Sequence, residues 1–185
     1  MIRMFDLLFS MVGLILFLPV ILLLFLLGFF ETKAPLFFQT RIGQHEKNFV
    51  IVKFRSMKEE TASVASHLVD SSSITPLGMV LRKSKLDELP QLWNVLRGDM
   101  SLVGPRPCLP SQHELIAERK KRGVFHVRPG ITGLAQINGI DMSRPKLLAE
   151  TEAKMIISFS FKNYFKYICL TCLGKGLGDR VGLKK

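Results

Sequence analysis

The chain of 185 residues is long enough for one domain and an anchor and too short for two full domains. Its net charge of +11, from 26 Lys and Arg against 15 Asp and Glu, calls for anionic partners: nucleic acid, lipid headgroups or phosphate-rich substrates. Three cysteines exclude a disulfide framework, and the C-x-x-C of Cys169 and Cys172 lacks the second pair that a zinc site needs, so both read as small apolar residues of a helix and Cys108 as a loop residue.

From Leu7 to Phe30 the chain carries no charge. That run is long enough to cross a hydrocarbon core of ~30 Å. No small-x-small cleavage site follows, so it reads as an anchor over residues 1–30 rather than a removed leader. The excess of Lys and Arg lies beyond it, which places residues 31–185 in the cytoplasm. With an anchor present, lipid and phosphate rank above nucleic acid as partners. Pro19 interrupts the apolar run, where it removes a helical hydrogen bond and clashes with the preceding turn. A kinked spanning helix would put Arg3 across the bilayer; a broken, re-entrant one would keep Arg3 and the body on one side. Taken alone, the residues favour spanning, because re-entry frees backbone groups inside lipid.

Leu36–Arg41 and Phe49–Arg55 have strand composition, with a polar turn over 42–48, and predict a β-hairpin. Residues 58–75 are polar and Ser-rich and read as a flexible loop. Ser84 and Asp87 form an S-x-x-D pattern that predicts a capped helix from Ser84 through Leu96, with Pro90 as a second, tighter start and Gly98 as its stop. Ser111 and Glu114 repeat that logic for a helix ending before Gly123. Leu134–Ile137 is a short strand candidate, Ser143-Arg144-Pro145 opens a helix to about Ile157, and Phe159–Leu173 mixes aromatic, apolar and Lys residues as an interfacial helix does.

Asp87-Glu88 is the sharpest chemical feature. Helix neighbours point about 100° apart, yet both acids can converge on one metal at a helix start. Such a carboxylate can attack phosphorus or bind magnesium; acids in a first turn also serve simply as caps. Arg82, Lys83 and Lys85 stand just upstream. In Gly104-Pro105-Arg106-Pro107 the two prolines restrict the backbone around Arg106, whose planar guanidinium suits phosphate. Arg128-Pro129-Gly130 heads a second rigid turn. Lys53 and Arg55 share one strand face, which suits phosphate contact or plain solvation. His45, His67, His113 and His126 show no ligand spacing.

Together, Lys53-Phe54-Arg55-Ser56-Met57, Leu86-Asp87-Glu88-Leu89-Pro90-Gln91-Leu92, the run Gly98–Pro107 and the run Arg128–Gly139 resemble the small monotopic polyprenyl-phosphate phosphoglycosyl transferases of bacteria, the PglC type. The likeness covers about Met1 to Gly139. It implies an α+β fold: a re-entrant membrane helix broken near Pro19, which overturns the preference for spanning, and a small helix-associated β-hairpin domain with interfacial amphipathic helices. It also implies a monotopic protein of the bacterial inner membrane with its catalytic domain on the cytoplasmic face.

The implied reaction moves a sugar 1-phosphate from a UDP-sugar to a polyprenol phosphate, undecaprenyl phosphate in bacteria, and releases UMP. In the family the aspartate of the acid pair is the nucleophile, which gives a covalent phospho-sugar intermediate and ping-pong kinetics. Mapped here, Asp87 attacks, Glu88 with Asp87 holds Mg2+, and Arg106 binds phosphate. Arg82, Lys53, Arg55 and Arg128 are further phosphate or headgroup contacts. Leu18 stands where the family usually has serine, Ile140 where it commonly has arginine, and Glu152 opposite a family aspartate in the looser tail. Expected partners are the UDP-sugar, the polyprenol phosphate, membrane lipids and downstream glycosyltransferases of glycoconjugate assembly such as O-antigen or lipopolysaccharide, and no nucleic acid. The rival readings are a membrane-anchored basic binding protein without catalysis and a magnesium-dependent phosphohydrolase.

Overall fold

The structure, a computed structural model, describes residues 1–59, 61 and 71–176. The apolar run folds as two helices, α1 (Ile2–Leu16) and α2 (Leu18–Thr32), bent by 62° at Phe17. Pro19 sits in the first turn of α2, where its missing N–H costs nothing and its fixed φ suits a helix start. No single helix among the described residues is long and apolar enough to cross a membrane, although the bent pair passes by length and composition.

The beginning of α1 is bonded to the body. Arg3 donates to the carbonyls of Leu96 (3.0 Å) and Met100 (3.4 Å). Asp6 is buried, and its Oδ1 accepts from Ser101 Oγ (3.0 Å), Leu102 N (3.0 Å) and Tyr164 Oη (2.8 Å). The chain thus bends at Phe17, and both ends of the helix pair bond to the same domain, Arg3 to Leu96 and Glu31 to Leu77 N at 3.0 Å.

Strands β1 (Leu36–Ile42) and β2 (Asn48–Phe54) form the expected antiparallel hairpin, with Phe38 opposite Val52 and Phe37 opposite Lys53. This register gives the hairpin two unlike faces. Leu36, Phe38, Val50, Val52 and Phe54 share one; Gln39, Arg41, Ile51 and Lys53 share the other. The outer edge of β2 is sealed by Asn94, which accepts from Val52 N (3.0 Å) and donates to Val50 O (2.7 Å).

Beyond the hairpin, Ile74 bridges to Met57 and helix α3 runs Pro76–Ser84, capped by Thr75, which accepts from Gly78 N at 2.9 Å. The loop expected over 58–75 falls largely on residues outside those described. Ser84 does not cap a following helix. It ends α3, and its Oγ donates back to the Val80 carbonyl at 2.8 Å. Lys85 then turns left-handed (φ 58°), and Leu86–Glu88 form a single 3-10 turn. Pro90 lacks the N–H that a continuous helix would need there, so α4 covers only Gln91–Arg97 and stops at Gly98 (φ 95°).

Strand β3 (Ser101–Val103) pairs in parallel with β4 (Gly130–Thr132). Between them lies α5 (His113–Lys121), preceded by Gln112 rather than capped by Ser111; Gln112 Oε1 instead accepts from Leu109 N at 2.9 Å. Leu134–Ile137 is the one-turn helix α6, not a strand, closed by Ile137 N donating to Gly133 O (3.0 Å); four apolar residues are too few to show a period. Helices α7 (Pro145–Ile157) and α8 (Phe161–Cys172) follow, close to the expected spans. Cys108 lies, as expected, outside the helices and strands, between β3 and α5, but it is fully buried, with its carbonyl accepting from Ile42 N at 2.9 Å. The main core joins Ile51, Val95, Met100, Leu102, Val103, Met155, Tyr164 and Tyr167, so hairpin, α4, the β3–β4 pair, α7 and α8 share one interior.

Candidate active site

The acid pair lies on the 3-10 turn Leu86–Glu88, which packs against the end of β2. Leu86 anchors the turn against Leu24, Phe54 and Leu81, leaving the acids half-buried. Glu88 Oε1 is approached by two cations from separate elements: Lys53 Nζ of β2 at 3.2 Å and Arg106 Nη2 at 3.4 Å. The Glu88 side chain is 12% exposed, so these charges meet partly out of water, where they attract more strongly than at a free surface.

Arg106 is held by the two proline-rich turns locking together. Gly104 N donates to Thr132 O, and Gly130 N to Pro105 O, each at 2.8 Å. A Cβ on Gly130 would lie 2.0 Å from Gly104 N, and one on Gly104 2.4 Å from Arg128 O. Only glycine permits the two backbones to approach this closely. From behind, Arg119 Nη2 donates to the Arg106 carbonyl (2.7 Å) and to Glu152 Oε1 (2.5 Å), while Nε donates to Glu152 Oε2 (2.8 Å). Arg119 and Glu152 are both buried. Burial pushes the Glu152 carboxyl above its ordinary value, and the guanidinium pulls it back down.

A shallow polar cavity opens over this cluster, lined by Arg41, Lys53, Glu88, Gln91, Arg106 and Gly130 among others. Arg41 reaches it from β1, donating to Pro107 O (3.1 Å) and to Gln39 Oε1 (2.5 Å). Gln91 is 2% exposed, and among the described residues its Nε2 is a buried donor with no hydrogen-bond partner. A buried amide without an acceptor beside two cations suits a ligand oxygen. Sequence reasoning passed over both residues. Alternation along β1 puts Arg41 on the Lys53 face, and that was the available signal.

Of the residues singled out from sequence, Lys53, Glu88 and Arg106 converge, with Asp87 on the same turn as Glu88. The other three arginines contact structure elsewhere. Arg55 Nε donates to Ala34 O (2.8 Å), and its guanidinium lies over the Phe37 ring. Arg128 Nε donates to Gly98 O (2.9 Å), and Arg82 Nη1 contacts Ser56 Oγ (3.4 Å). Glu152 is the buried partner of Arg119.

No group of three or more His, Cys, Asp or Glu side chains gathers among the described residues. The protein therefore offers a divalent ion the two adjacent carboxylates, with further oxygens to come from ligand and water. That donor set fits magnesium, which characteristically takes one or two carboxylates together with substrate phosphates. The cations around Glu88 match the charge of a diphosphate, and a carboxylate in such surroundings can serve as nucleophile or as metal ligand.

Residues 1–175 match the model of a family described as bacterial sugar transferase. The chain is 42% identical over 154 residues to a protein of Bacillus subtilis named as an uncharacterized sugar transferase, EpsL, covering 82% of this chain and 76% of that one. It is 43% identical over 130 residues to a UDP-glucose:undecaprenyl-phosphate glucose-1-phosphate transferase of Caulobacter vibrioides, covering 68% of this chain and 49% of that one. With an undecaprenyl-phosphate glucose phosphotransferase of Komagataeibacter xylinus it shares 40% identity over 148 residues, 74% of this chain and 27% of that one. The chain belongs to the bacterial sugar transferase family, whose named relatives include undecaprenyl-phosphate sugar phosphotransferases.

Proposed function

We propose that this protein is a phosphoglycosyl transferase that moves a sugar 1-phosphate from a UDP-sugar to a polyprenol phosphate. The observation that carries the reading is Glu88, beside Asp87 on one turn, meeting Lys53 and Arg106 in one cavity, in a chain whose relatives include one named for this transfer. A non-catalytic basic binding protein would have no use for that convergence.

In the first displacement an Asp87 carboxylate oxygen attacks the β-phosphorus of the UDP-sugar. The bond from that phosphorus to the bridging oxygen breaks, UMP leaves with the electron pair, and an aspartyl phospho-sugar remains. In the second, a phosphate oxygen of the polyprenol phosphate attacks the same phosphorus, freeing Asp87 and forming the polyprenyl-diphospho-sugar. Arg106, fixed by its turn, and Lys53 neutralise charge on the diphosphate, where preorganised electrostatics are most effective. Gln91 donates to a phosphate oxygen. Magnesium held by Glu88 and Asp87 would supply further neutralisation of the diphosphate.

The bent pair α1–α2 dips into the lipid and returns. Its exposed Leu and Phe side chains support this, as does the bonding of Arg3 to the body. The catalytic domain then lies at the headgroup plane on the cytoplasmic face of the inner membrane, where a soluble nucleotide sugar and a lipid-tethered phosphate meet. The product feeds glycoconjugate assembly, as the exopolysaccharide production proteins among the relatives imply by name.

The test is UMP release from a panel of UDP-sugars with magnesium, with and without undecaprenyl phosphate. Sugar phosphate should transfer to the lipid and be trapped on Asp87 when the lipid is withheld. Steady hydrolysis to free sugar phosphate without acceptor would instead make the protein a phosphohydrolase.

A further inference from the structure

The hairpin's second face borders a separate, much larger groove. It has a volume of about 440 Å³, within the range of small-molecule sites, and apart from Arg97 every residue lining it is apolar. Its floor is Phe38, Val50 and Val52 of the hairpin, and one wall is Leu14 and Phe25 from the two arms of the bent helix pair. Pro90 and Trp93, from the start of α4, form the other wall. Phe38, Val50 and Trp93 are 59%, 46% and 54% exposed, which makes this a large apolar surface that water alone would not favour.

The groove meets the candidate active site at the acid-bearing turn. Glu88 lines the polar cavity and Pro90 lines the groove, two residues apart, so their Cα atoms lie within about 7 Å. The hairpin repeats this division: Ile51 and Lys53 face the polar cavity, while Val50 and Val52 face the groove. One continuous molecule with an anionic head and an apolar tail fits both, its head among Lys53, Glu88 and Arg106 and its tail between helix elbow and hairpin. Arg97 adds a cation at the groove's rim.

We propose that this groove binds the proximal isoprenoid segment of the acceptor lipid, so that chain recognition and phosphate placement occur on opposite faces of one hairpin. This inference rests on the reading of the protein as a polyprenyl-phosphate transferase. The groove is bounded on two sides, and Pro90 in one wall lies two residues beyond the acid pair; an ordinary lipid-facing surface needs neither feature.

Trp93 is the only tryptophan of the chain, so its emission reports on the groove without labelling. Full-length protein in detergent is titrated with undecaprenyl phosphate, geranyl phosphate or phosphatidylglycerol, and transfer is assayed on the same samples. Undecaprenyl phosphate should give a saturable emission change, with half-saturation at least about tenfold higher for geranyl phosphate and for the groove-filling variant Val52→Phe. Phenylalanine suits a strand, and the titration of the unaltered protein stands on its own should that variant misfold. An equal response to phosphatidylglycerol would make the groove a general lipid contact, and a change that follows protein concentration alone would assign it to a second copy of the chain; either overturns the proposal. Transfer with a flat Trp93 signal overturns the groove and leaves the enzymatic reading standing. A saturable, chain-length-dependent signal without transfer overturns the enzymatic reading and leaves the groove as an isoprenoid site, and a flat signal without transfer removes both.

Discussion

Arg119 and Glu152 form a buried ion pair, and the guanidinium nitrogen that bonds Glu152 Oε1 also carries the carbonyl of Arg106. The phosphate-binding side chain of the proposed mechanism is thus aimed by a charge pair that never meets substrate. Removing one partner strands the other charge in the interior. Arg119→Met or Glu152→Leu should each cost about 3–5 kcal/mol, read by thermal or denaturant unfolding. Replacing both at once, Arg119→Met with Glu152→Leu, should cost clearly less than the sum. That double variant still loses the donor to the Arg106 carbonyl, so its kcat should fall while its fold persists. Additive losses in the double-mutant cycle would refute the coupling.

This pair also marks where sequence reading stops. Its members are 33 residues apart, and no local pattern links them. The hairpin was legible because alternation is a two-residue signal, and helix ends at Gly98 and Gly123 were legible because both glycines adopt positive φ. The S-x-x-D at Ser84 misled because a serine that back-bonds at a helix end has the same neighbours as one that caps a new helix. Arg41 and Gln91 went unnoticed because their place depends on which strand and which turn face them. Lys53 and Arg55 looked alike by period, yet Arg55 lies past the end of β2 and folds back on the Ala34 carbonyl.

Asp87→Asn should lower turnover by roughly three orders of magnitude or more, since an amide cannot act as the nucleophile. The amide is nearly isosteric, so stability should hardly change. Intact-mass analysis after incubation with the correct UDP-sugar alone should show an added phospho-sugar on the natural protein and none on the variant. Undiminished product formation by Asp87→Asn would remove Asp87 from the chemistry.

Glu88→Gln removes the shared acceptor of Lys53 and Arg106 as well as a carboxylate for the metal. Two effects should separate. The magnesium concentration for half-maximal rate should rise about tenfold or more. Lys53→Met, which leaves both carboxylates in place, should raise the KM for the UDP-sugar with a much smaller shift in the magnesium curve. An identical magnesium titration for Glu88→Gln and the natural protein would contradict the ligand role.

Thiol labelling tests the interior directly. Cys169 and Cys172 are exposed on α8, whereas Cys108 is fully buried, and burial pushes its thiol above the ordinary value while Arg119 pulls it back. A raised thiol pKa means less thiolate at any given pH, so both access and reactivity disfavour Cys108. Detergent-solubilised native protein should therefore take up two equivalents of maleimide and release the third site only on unfolding. Glu152→Ala or Arg119→Ala, by loosening the packing around Cys108, should speed that third reaction.

Asp6 gathers the amino-terminal helix, β3 and α8 on one carboxylate oxygen, with donors from Ser101, Leu102 and Tyr164. Its side chain lies far from the acid pair in sequence, yet it holds α1 onto the domain that carries the site. Asp6→Ala leaves three buried donors without an acceptor and should cost about 3 kcal/mol or more, because each stranded donor forfeits its full solvation. Tyr164→Phe removes only one donor and should cost about 1–2 kcal/mol. The burial and the neighbouring Asp6 charge also push the Tyr164 hydroxyl far above its ordinary value, so this bond should persist through alkaline conditions that ionise an exposed tyrosine. If α1 must be docked for the bent helix pair to form the groove wall, Asp6→Ala should also weaken the Trp93 response to undecaprenyl phosphate, whereas Tyr164→Phe should largely preserve it. Equal losses in the two variants would mean that the tyrosine, not the acid, ties the helix down.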